Sequence, residues 1–182
     1  VSTRTPTIQY KSSDGSFPSG IPGDDPEKYH AFPISITRNS NIKYLGSSFY
    51  GVDMMSGGSF INKLSIFSDN AGSPGNELIS TTNFGDYFGS TVLKDSNGTE
   101  YSDLSSLRTE AYFGSSGLEV TNGQNLWIVI ELKEAGDPGA LGNSPVGHSQ
   151  RKVSGDGTNW SEYQGNANGR YSDNMPMILL TD

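Results

Sequence analysis

Residues 125–133 read NLWIVIELK, and the five residues from Leu126 to Ile130 form an unbroken apolar run. A short run of β-branched and aromatic residues without alternation is typical of a strand that is covered on both faces. It is also much shorter than the roughly 18 apolar residues that a membrane span requires. We therefore predict a central strand of a β-sheet at 125–133.

Less apolar runs lie on both sides of this segment, separated by the Gly, Pro, Asn and Asp residues that favour turns. Helical spacing is confined to 102–108, where two leucines follow a Ser-Asp pair. The pattern predicts an all-β fold, a single jelly-roll-like β-sandwich of about ten strands with long loops. The predicted strands cover 31–37, 42–55, 60–68, 77–82, 87–94, 108–113, 125–133, 148–153, 160–163 and 175–180.

The first 28 residues differ from the rest because Ser, Gly, Pro and Asp dominate and apolar residues are few. We predict an extended N-terminal arm over 1–28, in which residues 19–26 form no regular structure, followed by a β-sandwich domain over 29–182. The chain begins at Val1 without a basic and apolar leader pattern, which is expected of a mature or excised module whose targeting segment has been removed.

Composition and charge restrict the classes of partner. The 182 residues carry 20 Asp and Glu against 12 Lys and Arg, a formal net charge of −8, and contain no Cys. Nucleic acids and anionic membrane surfaces reward basic patches, so neither is expected as a partner. The lack of Cys excludes disulfides, Cys-type zinc sites and Cys nucleophiles. Cations and uncharged ligands such as sugars fit the acidic balance, and solubility alone is the alternative explanation.

Residues 64–79, LSIFSDNAGSPGNELI, carry the clearest local signal. A strand runs into an Asp-Asn-x-Gly-x-Pro-Gly connection, and a second strand begins at Glu77. Asp and Asn side chains bond to nearby backbone groups in turns, Pro74 presets its φ, and Gly75 is expected to adopt a positive φ. The segment therefore predicts a β-hairpin.

This hairpin resembles an element of the choice-of-anchor β-sandwich domains of bacterial surface and exported proteins. Two later segments, 118–130 (LEVTNGQNLWIVI) and 154–160 (SGDGTNW), are similar to further motifs of that family in the same order. The resemblance extends over residues 44–180, about three quarters of the chain. It implies a sandwich fold and export from a bacterium, and it provides no catalytic residues.

The polar segment 155–171 is the best candidate for a ligand-binding loop. Sugars bind by stacking a C–H face on an aromatic ring, while amide, carboxylate and guanidinium groups bond to their hydroxyls. The alternative is that Trp160 closes the open end of the sandwich core, and Trp127, inside an apolar strand, is interpreted as a core residue. The predicted ligand-binding residues are Trp160, Tyr163, Asn166, Asn168, Arg170 and Tyr171.

A second candidate site surrounds Gly98, where residues 95–100 read DSNGTE. Alternating oxygen donors around a glycine are typical of part of a calcium loop. The alternative is an Asn-Gly turn that joins two strands. We predict Ca²⁺ as a candidate cofactor with Asp95, Asn97, Glu100 and Asp103 as ligands, and a second acidic cluster consists of Asp24, Asp25 and Glu27.

These observations predict a non-catalytic, secreted or cell-surface bacterial module for carbohydrate recognition or adhesion. Its partners would be a glycan or another cell-surface ligand, together with other domains of a larger surface protein. Two alternatives stay open: a structural surface module without a small ligand, and a small jelly-roll glycoside hydrolase with Glu110 and Glu131 as its carboxylate pair. The Trp- and Tyr-rich strands of small xylanases and a Gly-x-Ser-x-Gly elbow are missing from the sequence, which favours the non-catalytic interpretation.

Overall fold

The computed structural model describes residues 2–10, 27–47, 61–89, 91–94, 98, 100–101, 109–133, 152–162 and 178–182. Over these residues the chain is all-β and contains no helix, as predicted. No helix long and apolar enough to cross a membrane occurs in this part of the chain. The strands are β1 (Ser2–Arg4), β2 (Pro6–Tyr10), β3 (Tyr29–Ser35), β4 (Ser40–Ile42), β5 (Tyr44–Ser47), β6 (Ile61–Asp69), β7 (Pro74–Thr81), β8 (Thr91–Lys94), β9 (Glu100–Tyr101), β10 (Thr109–Tyr112), β11 (Leu118–Val120), β12 (Asn125–Leu132), β13 (Lys152–Ser154), β14 (Ser161–Glu162) and β15 (Ile178–Thr181).

Two sheets form the body of the fold. The large sheet has six strands in the order β14-β13-β3-β12-β6-β7, and the small sheet has four in the order β10-β5-β15-β2. Smaller sheets join β1, β8 and β9, and β4 and β11. Strand β12 lies between β3 and β6 and runs antiparallel to both, which confirms the predicted central strand.

The main core lies between the large and the small sheet. Alternate residues of β12 face it, because successive side chains of a strand point to opposite faces. Burying each of these large side chains contributes about 1.5–3 kcal/mol. The large sheet contributes Phe32, Ile34, Leu64, Ile66, Leu126, Ile128, Ile130 and Leu132, and the small sheet contributes Leu45, Ala111, Ile178 and Leu180.

The first residues of the predicted N-terminal arm form two strands that pair with the rest of the fold. Strand β2 pairs antiparallel with β15 at the edge of the small sheet, and β1 pairs parallel with β8. Arg38 donates a hydrogen bond of 3.1 Å to the carbonyl of Thr5, between the two strands. Residues 2–10 of the predicted arm are therefore extended and pair with strands of the domain, because the last strand of the chain provides a partner for β2. The rest of the predicted arm, up to residue 26, lies outside the described residues.

The β6–β7 hairpin is present, but its turn lies three residues earlier than predicted. Asn70 and Ser73 exchange backbone hydrogen bonds of 2.8 and 3.2 Å, and Ala71 and Gly72 between them have φ angles of 50° and 84°. Positive φ at both central residues defines a type I′ turn. Strand β7 thus begins at Pro74, and the prediction that Gly75 adopts a positive φ is wrong.

Two further segments differ from the prediction. The predicted strand at 87–94 begins only at Thr91, because the backbone N–H of Phe88 is bonded instead to Glu110 Oε1 at 2.8 Å. Strand β11 pairs with β4, although neither was predicted as a separate strand. The predicted helical turn at 102–108 lies outside the described residues.

Candidate functional site

The face of the large sheet that points away from the main core, here called the outer face, carries most of the polar chemistry. Strand register aligns Glu162, Lys152, Ala31, Val129 and Ser65 in one row across five neighbouring strands, β14, β13, β3, β12 and β6. Their sequence neighbours in β3, β6 and β12 enter the main core, so these five positions belong to the opposite face.

A groove of about 500 Å³ lies on this side of the sheet, between the β6–β7 turn and strands β13 and β14. Its volume falls in the range of about 300–1,000 Å³ that is common for small-ligand sites. The lining combines backbone with amide, hydroxyl and charged side chains. The lining residues are Pro33, Ile34, Ser35, Asp69, Gly72, Asn125, Leu126, Trp127, Lys152 and Glu162.

One carboxylate joins the turn to the sheet at the groove wall. Trp127 Nε1 donates a hydrogen bond of 2.7 Å to Asp69 Oδ1, and the backbone N–H of Gly72 donates one of 3.3 Å to Asp69 Oδ2. A charged acceptor makes the first of these bonds strong. Asp69, which the sequence identifies only as a turn residue, thus fixes both the turn and the indole ring.

Trp127 is buried, with 3% of its surface exposed, but it does not lie in the main core. It forms a second cluster on the outer face with Ala31 and Val129, and Tyr29, Phe67 and Trp160 pack against that cluster. The interpretation of Trp127 as a core residue is therefore confirmed, and the core to which it belongs is this second cluster. Leu126 and Ile128 point into the main core, so Trp127 between them points to the other face. The unbroken apolar run is the sequence signal for a strand that is covered on both faces.

Trp160 lies half-buried on the outer face. Its ring contacts Phe67 edge-on, with centroids 6.2 Å apart and planes at 82°, a geometry that aromatic pairs favour. Trp160 thus packs on the outer-face cluster, while the remainder of its surface is open to solvent.

The loop that precedes Trp160 is organised by its own polar groups. Asp156 Oδ1 accepts hydrogen bonds of 2.8 Å from the backbone N–H groups of Asn159 and Thr158, and Oδ2 accepts one of 2.6 Å from the Asn159 amide. These bonds hold the pKa of Asp156 well below its usual range. Gly157 has a φ of 78°, and a Cβ there would lie 3.1 Å from the Tyr29 ring. Hydrogen bonds within residues 156–159 therefore fix the loop that positions Trp160 against the sheet.

Ion pairs flank the aromatic cluster. Lys63 Nζ lies 2.8 Å from Glu77 Oε2, which also accepts a hydrogen bond of 3.1 Å from Ser65. Burial opposes ionisation of Glu77, but the bonds from Lys63 and Ser65 outweigh it and lower the pKa of Glu77. The same hydrogen bond raises the pKa of Lys63. Lys28 lies 3.5 Å from Glu131, so that carboxylate is paired as well.

The carboxylates of the hydrolase alternative do not face one another. Glu131 alternates with the core residues Ile130 and Leu132 and lies on the outer face of the large sheet, whereas Glu110 precedes the core residue Ala111 on the small sheet. Both point away from the core that separates the sheets. Burial raises the pKa of Glu110, although the Phe88 N–H bond opposes this. The two groups therefore cannot act on one bond across a shared groove.

Several predicted site residues cannot be placed. Tyr163, Asn166, Asn168, Arg170 and Tyr171 lie outside the described residues, as do the calcium candidates Asp95, Asn97 and Asp103 and the acidic pair Asp24 and Asp25.

Glu100 is described, and its carboxylate lies 3.3 Å from Lys94 Nζ, across the β8–β9 pair. Glu27 accepts a hydrogen bond of 2.9 Å from His30 at its backbone carbonyl. The described part of the chain contains no group of three or more His, Asp or Glu side chains that could hold a metal ion. The calcium site stays a prediction.

No protein-family model matches this chain, and no curated protein or solved structure matches it either. The resemblance to choice-of-anchor domains therefore continues to rest on the three quoted segments alone.

Proposed function

We propose that this protein is a non-catalytic binding module that recognises carbohydrate on the outer face of the large sheet. The observation that carries the proposal is the placement of Trp160. A loop whose polar groups bond to one another holds this ring partly open to solvent. Trp160 does not itself line the groove, but Trp127 belongs both to the groove lining and to the cluster on which Trp160 packs. Aromatic surface for a sugar's C–H face and polar groups for its hydroxyls are thus neighbours.

The absence of a facing carboxylate pair at Glu110 and Glu131 supports binding over hydrolysis. The resemblance to exported bacterial domains supports a secreted or cell-surface location, with glycan on a cell or in the surroundings as the partner. The acidic balance fits an uncharged ligand such as a sugar. The other predicted ligand contacts lie outside the described residues and stay predictions: Tyr163, Asn166, Asn168, Arg170 and Tyr171.

Retention on a panel of immobilised neutral and charged glycans tests the proposal. We expect the wild-type protein to be retained by at least one glycan and Trp160→Ala to lose about tenfold or more in affinity, about 1.4 kcal/mol. Leu78→Ala is the matched control for adsorption through exposed apolar surface, because Leu78 is 43% exposed on the edge strand β7. Absence of wild-type retention across the panel would overturn the proposal in favour of a structural surface module. Unchanged affinity of Trp160→Ala would overturn the assignment of the binding site to this ring.

A further inference from the structure

We infer that the groove selects uncharged glycans with adjacent hydroxyl groups and excludes anionic ones. This inference rests on the proposed function and adds the class of sugar that the groove accepts. It is carried by the charges of the lining side chains and by the placement of a donor and an acceptor side by side on neighbouring strands.

The donor and the acceptor are Asn125 and Asp69. Leu126 of β12 pairs with Ser68 of β6, so the same antiparallel register brings the adjacent residues, Asn125 and Asp69, to opposite positions at the groove. Both belong to the outer face, because Trp127 and Phe67 two residues away do. A carboxylate that accepts and an amide that donates at neighbouring positions match two adjacent hydroxyls of one sugar ring.

Each of these side chains is oriented by a further bond. Asn125 Oδ1 accepts a hydrogen bond of 3.0 Å from Ser35 Oγ, which leaves the amide N–H groups to donate. The bonds from Trp127 and Gly72 hold the Asp69 carboxylate, and its remaining lone pairs can accept from a ligand. Polar groups fixed on strands in this way lose little conformational entropy when a ligand binds.

The charges of the lining oppose an anionic ligand. Asp69 and Glu162 are acidic and Lys152 is basic, which gives the lining a formal charge of −1 in a chain of −8. Lys152 lies 3.6 Å from Glu162, and its side chain is only 17% exposed, against 71% for Glu162. A uronate or sulfate entering the groove therefore meets the carboxylates, while the ammonium group is already paired and largely covered.

Affinity electrophoresis with chemically matched polymers tests this selectivity. The pairs are hydroxyethyl and carboxymethyl cellulose, starch and carboxymethyl starch, and dextran and dextran sulfate, which share a backbone and differ in charge. We expect the neutral member of at least one pair to retard the protein and its anionic partner not to do so. Equal or stronger retardation by the anionic member would overturn the inference.

Three variants test the contribution of the groove to binding independently of Trp160. Asn125→Ala is expected to weaken binding of the neutral polymer about tenfold, the loss of one bond to a sugar hydroxyl. Glu162→Gln releases Lys152 and raises the lining charge to zero, so binding of the anionic polymer should increase several-fold. Glu119→Gln makes the same change of charge at an exposed position on β11 that does not line the groove, and it should alter binding of neither polymer.

The outcomes distinguish this inference from the proposed function. If Trp160→Ala abolishes binding while Asn125→Ala and Glu162→Gln behave like the wild type, the protein is a glycan-binding module whose groove does not select the ligand. If no polymer retards the wild-type protein, both proposals fail. Thermal unfolding of each variant within a few degrees of the wild type shows that the fold is kept.

Discussion

The indole N–H of Trp127 donates a 2.7 Å hydrogen bond to the carboxylate of Asp69, across 58 positions of sequence. This bond joins the central strand β12 to the tip of the β6–β7 hairpin, at the wall of the groove. It thereby couples the most apolar segment of the chain to one of its most polar turns. The geometry of the candidate site depends on this contact.

Removing Asp69 should destabilise the fold, because the buried indole N–H loses its acceptor. We expect Asp69→Ala to lower the free energy of unfolding by about 1–3 kcal/mol, the usual effect of such an orphaned donor. A double-mutant cycle with Trp127→Phe, measured by urea unfolding, isolates the pair. A coupling energy near zero would show that the bond is not stabilising in solution.

A substitution in the type I′ turn is predicted to stabilise the fold. Ala71 has a φ of 50°, a left-handed conformation that costs a residue with a Cβ roughly 1–2 kcal/mol. Ala71→Asn creates the Asn-Gly pair that this turn favours. We expect the free energy of unfolding to rise by about 0.5–1 kcal/mol, seen as a higher melting temperature.

Gly72→Ala is the converse test of the same turn. No atom lies within 4 Å of a Cβ built on Gly72, so any loss of stability comes from its φ of 84° alone. A loss of about 1–2 kcal/mol is expected. An unchanged melting temperature in both turn variants would contradict the assignment of the turn.

Glu110 predicts a dependence of stability on pH. Because burial raises its pKa, the folded state holds this proton more tightly than the unfolded chain does. The stabilisation is complete below the pKa of the unfolded chain and is lost as pH rises through the raised value. Glu110→Gln keeps an oxygen for the Phe88 N–H and removes the titration, so its melting temperature relative to wild type should rise from about pH 3.5 to about pH 8. Glu119→Gln, on the exposed β11, is the control, and parallel profiles for Glu110→Gln and wild type would contradict the prediction.

Asp156 should control the order of Trp160 without being needed for the fold. In a Trp127→Phe background Trp160 is the sole tryptophan, so its fluorescence reports on the loop. Asp156→Ala removes the acceptor of the bonds from Thr158 and Asn159, and we expect a red-shifted emission with faster acrylamide quenching. Asp156→Asn retains an acceptor oxygen, so its emission maximum and quenching rate should fall between those of Asp156→Ala and those of the protein with Asp156 intact. Identical spectra for all three would show that other contacts fix the ring.

The sequence by itself determined the all-β class, the central strand at β12 and the β6–β7 hairpin. Each of these follows from interactions between residues close in the chain: alternation of apolar side chains, β-branched runs and turn chemistry. The same local rules identified Trp160 as a candidate for binding. They could not place the turn to the residue, because Ala71 adopts a conformation that its side chain does not favour.

The tertiary structure alone decided which polar residues meet. Asp69 contacts Trp127, Asn125 lies opposite Asp69, and Lys152 joins Glu162 because antiparallel register aligns strands that are far apart in sequence. The N-terminal strand β2 forms only because β15, at the other end of the chain, offers it an edge. Glu110 and Glu131 each lie within a strand, yet they are on opposite sides of the core. Pairing of this kind depends on long-range packing, which no local pattern of side chains specifies.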